Sequence, residues 1–458
     1  MKLHRKNYLW SALCLLSFGC SGGKSPSGDT DQIELLVIQP EHFHAALVQK
    51  YKNTDIGPEV YLFADTSSSA EAYQKLIQQY NSRDDDPTDW KVISYYGNDF
   101  LEKAFVANTG NVVVLAGDNQ RKIDFMAQSV QHGKDVFADK PLVINEEGYN
   151  KLSELFNANP APLLYDIMTE RYDIKNLIVK SLLNDTKFSG GINKDGSEAA
   201  VQFNSTHHFI KEVSGKPLIR PAMFYNTLQQ GEGLVDVTTH YIDLVYWMFS
   251  SEQVIDVSKD LKLDSSFRWQ TKLLKSDFER STGLKQYPSM LKDAQTKNGD
   301  LAVYSNGKMA FSFKEIPVSI AVQWKVESLD NSGDQFSAQF DTKKFRLEIK
   351  PDEKGAMAVF VVPSKANNQF ERELRQSLQS IKDLPGLDII QGKEGYKIVI
   401  PQDLYLSHED HFAKVLAQFV SYRRAKGLPD WEKSFMLAKY YLTTQALAKA
   451  KTIEYEKN

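Results

Sequence analysis

A run of short apolar segments, each leading into a helical stretch, constrains this chain more than any other feature. Ile33-Glu-Leu-Leu-Val-Ile38 is polar at one position and is followed by a helical start at Ala45 to Tyr51. Glu59-Val-Tyr-Leu-Phe-Ala-Asp65 precedes a helix from Ser69 to Tyr80, and Asn111-Val-Val-Val-Leu-Ala116 precedes one from Arg121 to His132. Asp135-Val-Phe-Ala138 precedes Glu146 to Asn157, and Pro162-Leu-Leu-Tyr165 closes the series. Strands buried on both faces need such near-continuous apolar runs, and the helices between them supply the crossovers of a parallel sheet. The pattern predicts an α/β fold with a Rossmann-like doubly wound parallel sheet over residues 33–165. Ligands of such sheets sit beyond the carboxyl ends of the strands.

After Tyr165 the texture changes. Alternating runs at Leu301 to Tyr304, Lys308 to Phe313, Val318 to Val326, Asp334 to Phe340, Lys344 to Ile349 and Met357 to Val362 predict an open, mostly antiparallel sheet. Residues 166–458 are therefore expected to form a second, α+β domain that binds substrate and joins subunits. A chain of 458 residues, 42% hydrophobic, is long enough to bury two cores. Its net charge of -4, with no basic stripe interleaved with aromatics, argues against a nucleic-acid partner.

The N-terminus reads as an export signal. Lys2, Arg5 and Lys6 precede the apolar run Tyr8 to Phe18, which ends in Ser17-Phe-Gly-Cys20 and is too short for a membrane span. This resembles a bacterial lipobox: residues 1–19 would be the signal peptide, Cys20 the lipidated first residue, and 20–32 a flexible tether. An ordinary secretory signal cut near Gly19 is the alternative. Both place the chain outside the cytoplasm, periplasmic or at the cell surface. Losing Cys14 with the signal leaves no disulfide and no thiolate metal site.

Two loops carry the candidate chemistry. Gln39-Pro-Glu-His-Phe-His44 stands where a dinucleotide fold places G-x-G-x-x-G, and it holds no glycine. Those glycines let backbone amides approach a pyrophosphate, so their absence counts against ordinary phosphate binding here. Pro40, His42 and His44 are left as the loop's cofactor-binding candidates. Asp65 lies at the distance along the chain expected of a carboxylate on the ribose of NAD. The second loop, Gln229 to Asp236, runs into a predicted helix that puts Asp236 and His240 one turn apart, on the face of Leu244 and Trp247. Gly231 and Gly233 would let this backbone approach a substrate, with Gln230 beside them.

Asp139-Lys-Pro141 after the strand at 135–138, together with Asp236-Val-Thr-Thr-His240 and Asp243, resembles the Gfo/Idh/MocA family of NAD(P)-dependent sugar oxidoreductases. That family has Glu-Lys-Pro after a strand and Asp-x-Gly-x-His-x-x-Asp at a helix head; here Asp139 replaces the Glu and Thr238 the Gly. The resemblance covers roughly Ile33 to Ser250, and His408 to Tyr441 looks like the closing helices of an exported subgroup. It implies that Lys140 stands near the nicotinamide and the reacting hydroxyl, that His240 accepts the proton, and that Asp236 orients it. It further implies cofactor contacts from Asn119, Asp139 and Lys140, substrate contacts from Arg171 and Tyr172, and a dimer or tetramer.

His207 and His208 are read as polar or sugar-contacting residues, and no metal is expected at them or at His42 and His44. The chemistry agrees with the resemblance: removing a hydride from a secondary alcohol needs a base at the hydroxyl, and histidine is poised near neutral pH. The expected activity is oxidation of a secondary hydroxyl of a sugar or glycoside with NAD or NADP, NAD being favoured. An exported enzyme has no supply of fresh nucleotide, so the cofactor is expected to stay bound through the cycle. Redox-neutral glycoside cleavage in the same site is one alternative, and a carbohydrate-binding lipoprotein without catalysis is another.

Overall fold

The computed structural model describes residues 32–454 apart from 66–67, 159–161, 197, 214–215, 329–332 and 394; the expected signal peptide and Cys20 lie outside the described residues. The chain begins β1 (Ile33–Ile38), α1 (His44–Leu47), β2 (Ile56–Ala64), α2 (Ser68–Ser82), β3 (Lys91–Tyr96), α3 (Phe100–Val106), β4 (Val112–Leu115), α4 (Lys122–Gln131), β5 (Asp135–Asp139), α5 (Glu146–Phe156) and β6 (Leu164–Ile167). These six strands form one sheet ordered β3-β2-β1-β4-β5-β6, parallel throughout. The order reverses between β1 and β4, which opens a crevice at their carboxyl ends. Val112 to Leu115 and Leu35 to Ile38 are fully buried, as strands covered on both faces must be. β3 is the strand the apolar pattern does not show. It is an edge paired only with β2, and Lys91, Ser94 and Tyr96 are exposed, so little selects for an apolar run.

The second domain contains α6 (Ile174–Asn184), α7 (Thr186–Ser189), β7 (Val201–Ile210), the small hairpin β8 (Glu212–Val213) and β9 (Lys216–Pro217), α8 (Thr227–Gln230), α9 (Thr238–Phe249) and α10 (Val257–Asp260). It continues with β10 (Leu261–Leu273), α11 (Lys275–Thr282), β11 (Leu301–Phe313), β12 (Ile316–Glu327), β13 (Gln335–Asp341), β14 (Phe345–Pro351), β15 (Met357–Pro363), α12 (Asn368–Gln379), β16 (Asp388–Gln391) and β17 (Tyr396–Val399). The chain closes with α13 (His408–Arg424), α14 (Asp430–Ala448) and β18 (Lys451–Thr452). Ten strands make one sheet, β16-β17-β15-β14-β13-β7-β12-β11-β10-β18, antiparallel except where β7 meets β12 and β10 meets β18. Ser305-Asn306-Gly307 has the composition of a turn, yet β11 runs through it. The buried Asn306 side chain explains this: Nδ2 donates to Trp269 O at 3.0 Å, and Oδ1 accepts from Trp324 N at 2.6 Å.

One expected boundary changes. Residues 166–458 do not form a self-contained unit, because the chain crosses back at its end. Phe412, Val415, Leu416, Phe419 and Val420 of α13, with Met436 and Tyr440 of α14, bury in the core of the parallel sheet. Phe435, Ala438 and Leu442 of α14 bury in the other core, so α14 is shared by both domains. Among the described residues no helix is long and apolar enough to cross a membrane.

Candidate active site

The segment after β5 is fastened from below by a lysine that carries no sequence signature. Lys122, fully buried at the start of α4, donates to Asp139 O at 2.7 Å, Pro141 O at 2.9 Å and Asn119 Oδ1 at 2.6 Å. Burial lowers its pKa to about 8. Three oxygens on one ammonium hold the turn that presents Lys140, whose peptide bond to Pro141 is cis. Lys140 Nζ then reaches across the cleft to Asp236 Oδ1 at 2.6 Å.

Asp236 differs from its expected role. It lies ahead of α9, which starts at Thr238, so the two side chains are not a helical pair one turn apart. Its carboxylate holds Lys140, and among the described residues no hydrogen bond joins it to His240. The buried His240 Nδ1 has no partner among the described residues. Burial, reinforced by the Lys140 charge, holds His240 well below its usual pKa, so the ring is neutral near pH 7 and able to accept a proton.

The loop leading to α9 is seated by two missing side chains. A Cβ on Gly233 would lie 2.2 Å from Ser305 O, and one on Gly307 would lie 2.5 Å from Leu234 Cγ. The close approach of Gly233 is thus to the backbone of β11 and not to a ligand. Gly233→Ala is expected to lift the loop and cost about 1–3 kcal/mol, as overpacking does. Gly57→Ala, where the nearest atom is 3.6 Å away, is the control in urea unfolding. Equal midpoints for the two variants would show that the contact does not matter.

On the cofactor side, Asp139 Oδ2 accepts from His44 Nδ1 at 2.9 Å, with His42 Nδ1 at 3.4 Å. Burial disfavours the Asp139 carboxylate, but the two histidines outweigh it and hold its pKa well below the usual range. Burial lowers His44 to about 4. One ligand atom from each of His42, His44 and Asp139 lies within 4.8 Å of the others, close enough to hold an ion; no metal is expected there on sequence grounds, and the carboxylate–imidazole contacts account for the cluster as it stands. Pro40 sits in the same loop, where the amides of Glu41 and His42 both donate to Ala116 O, at 3.0 and 3.1 Å. Those two amides are therefore not free to cradle a phosphate. Gly117 makes the close packing of the two loops possible, since a Cβ there would lie 2.5 Å from Glu41 Cβ.

Other predicted site residues fall elsewhere. Asn119 fastens the domains, its Nδ2 donating to Gln230 O at 2.8 Å. Asp65 follows β2, its amide donating to Gln39 Oε1 at 2.9 Å. Arg171, expected at substrate, is buried in a charged joint. It grips Asp243 through Nε and Nη2, both at 2.7 Å, and donates to Glu432 at 2.9 Å. Lys439 Nζ joins Asp243 at 2.9 Å to Asp166 at 2.6 Å. Tyr172 is half-buried against the core of the first domain. His207 stacks on Trp324 and contacts Asp334 at 3.2 Å, while the buried His208 donates its amide to the same carboxylate. Sequence reasoning missed Lys122 and Glu170; the latter heads the turn after β6, and burial raises its pKa to about 7.

The cleft thus brings Lys140, Asp236 and His240 together between the carboxyl ends of the parallel strands and the head of α9. A family described as "Putative oxidoreductase C terminal domain" matches residues 178–451. A "putative oxidoreductase" of Parabacteroides merdae is similar in structure, with TM-score 0.87 and 35% identity, over 92% of this chain and 98% of that one. KijD10, a 3-ketoreductase from Actinomadura kijaniata in complex with NADP and TDP-benzene, shares the fold at TM-score 0.55 and 12% identity, over 93% and 100% of the two chains. No curated protein matches the sequence. With well over half its length matched by that profile and a relative at 35% identity, the chain belongs to this oxidoreductase C-terminal-domain family.

Proposed function

We propose that the protein is an NAD(P)-dependent oxidoreductase of the Gfo/Idh/MocA type, acting on a secondary hydroxyl of a sugar or glycoside with its nucleotide retained. The observation that carries this reading is the convergence of a lysine and an unpartnered, neutral histidine in the crevice of a doubly wound sheet. A fold shared with a ketoreductase that binds NADP and TDP-benzene supports it.

His240 would take the hydroxyl proton, and Lys140, held by Asp236, would donate a hydrogen bond to the oxygen as negative charge develops on it. Hydride acceptance is what a nicotinamide dinucleotide supplies when bound. The residues present fit such a group in part. Asp65, just after β2, is assigned to a ribose hydroxyl, and His42, His44 and Asp139 are assigned to the cofactor side of Lys140, while the loop amides of Glu41 and His42 are committed elsewhere.

The same end of the sheet carries Glu41, Asp65 and Asp118, whose charges act on one another. A 2′-phosphate there would meet carboxylates, so NAD is expected to bind about tenfold or more tighter than NADP. Calorimetry on nucleotide-free protein measures this, and equal affinities would remove the preference. Denaturing the purified protein and identifying released nucleotide by mass tests the reading itself. No released nucleotide, combined with no binding of NAD or NADP, would overturn it.

A further inference from the structure

Oxidation of a hydroxyl uses only one proton acceptor, and the cleft holds a second titratable group that this step leaves idle. Glu170 opens the turn after β6, the strand beside β5, whose end leads directly into Lys140, and its backbone carbonyl is fixed by Asn176 Nδ2 at 2.9 Å. Its neighbour Arg171 turns into the buried joint, but the Glu170 carboxyl makes no hydrogen bond or ion pair among the described residues and keeps some exposure. The charged and titratable groups acting on it come from each side: Lys140 after β5, Asp173 and Lys175 at the head of α6, and Tyr241 on α9, next to His240. Asp173 and Lys175 are paired with each other at 2.8 Å and Lys140 with Asp236 at 2.6 Å, so both lysines acting on Glu170 already hold a carboxylate partner.

We propose that Glu170 is a second acid–base residue of the site, facing the substrate and taking the proton from the carbon next to the one that is oxidised. The proposal rests on the oxidoreductase reading above. When the hydride passes to the oxidised nicotinamide and the hydroxyl proton to His240, a ketone is left and His240 is already protonated. It cannot take a second proton. Lys140 is committed to its contact with Asp236 at 2.6 Å and is not free to act as that base. The ketone acidifies the adjacent C–H; its proton moves to the Glu170 carboxylate, and the C–H electron pair becomes the double bond of an enolate whose oxygen lies against Lys140. Return of the proton and then of the hydride restores the alcohol. If an alkoxy group sits one carbon further on, the same electrons expel it and it leaves as the alcohol with the proton held by Glu170; water then adds across the double bond, its hydroxyl to that carbon and its proton by way of Glu170 to the neighbouring one, so that a glycoside and water become sugar and alcohol with no net redox change. Burial, with Asp173 adding, brings Glu170 to about 7, where it can both take and return a proton.

The test uses protein carrying its nucleotide and a panel of methyl glycosides (glucoside, galactoside, mannoside and N-acetylglucosaminide) in D2O. Nicotinamide absorbance reports hydride transfer, and proton NMR reports deuterium entering the carbon beside the reacting one. Wild-type protein is expected to exchange that position, with a rate that rises as pH passes through about 7. Glu170→Gln should slow exchange about 100-fold and remove the pH inflection, while hydride transfer slows less than about tenfold. Glu170→Asp should recover part of the exchange, and it carries the test if the Gln variant does not fold. Hydride transfer without exchange in the wild type, or equal losses of both in the two variants, would overturn the assignment of Glu170 alone. Absence of hydride transfer with every glycoside would overturn the oxidoreductase reading and the assignment with it.

Discussion

Lys140→Met and His240→Ala are each expected to slow hydride transfer about 100- to 10,000-fold, the span for losing a positioned base or a charge aimed at a developing oxyanion. The two should not add, because they act on the same oxygen in the same step. Each also has a distinguishing mark. Lys140→Met leaves Asp236 without its 2.6 Å partner, so part of its loss should be recovered in Lys140→Met/Asp236→Leu if charge imbalance contributes. His240→Ala removes a group that burial keeps neutral, so wild-type activity should hold as pH falls through 6.5, where an exposed histidine would already be half protonated. Single-turnover reduction of bound nucleotide by a methyl glycoside measures all of this. Rates within tenfold of wild type for both single variants would place the chemistry elsewhere.

Arg171→Leu is expected to cost about 3–5 kcal/mol of stability, the usual result of stranding buried carboxylates. The guanidinium satisfies Asp243 twice and Glu432 once, while Lys439 covers the other side of Asp243 and reaches Asp166. Removing the arginine leaves two of those carboxylates short of a positive partner in the interior. Lysine cannot substitute, since it is a point charge and the site grips a planar fork. Urea unfolding followed by tryptophan fluorescence gives the number, and a loss below about 1 kcal/mol would mean that the network relaxes around the gap.

Which parts of the molecule were legible in the sequence follows from how local their causes are. β1, β4 and β5 announce themselves because burial on both faces demands short, mostly apolar runs, unbroken in the Val-Val-Val-Leu of β4. β3 does not, because an exposed edge strand has no such demand. Lys140 and His240 could be picked out as residue types suited to the chemistry and standing in a familiar pattern, and the fold brings them to one cleft. The fate of Arg171 could not be read, since only the return of α14 turns a basic residue at the end of a strand into the centre of a buried joint. Lys122 was equally silent: its meaning lies in three oxygens contributed by segments up to 19 positions away. Glu170 gave no signal because a carboxyl acquires its character from what surrounds it.

The helix that carries the candidate base is also a structural pin. α9 holds His240 in its first turn and Asp243 less than one turn later, and Asp243 is clamped by Arg171 and Lys439. The position of the base is therefore tied to a buried charge joint less than one turn along its own helix, where Asp243 and Arg171 are buried. Damage to that clamp will be seen first as slow turnover with ordinary substrate affinity, because a small rotation of α9 shifts His240 before it unfolds anything. An inactive Asp243 variant would thus report a mechanical fault in a catalyst whose chemical groups are all still present.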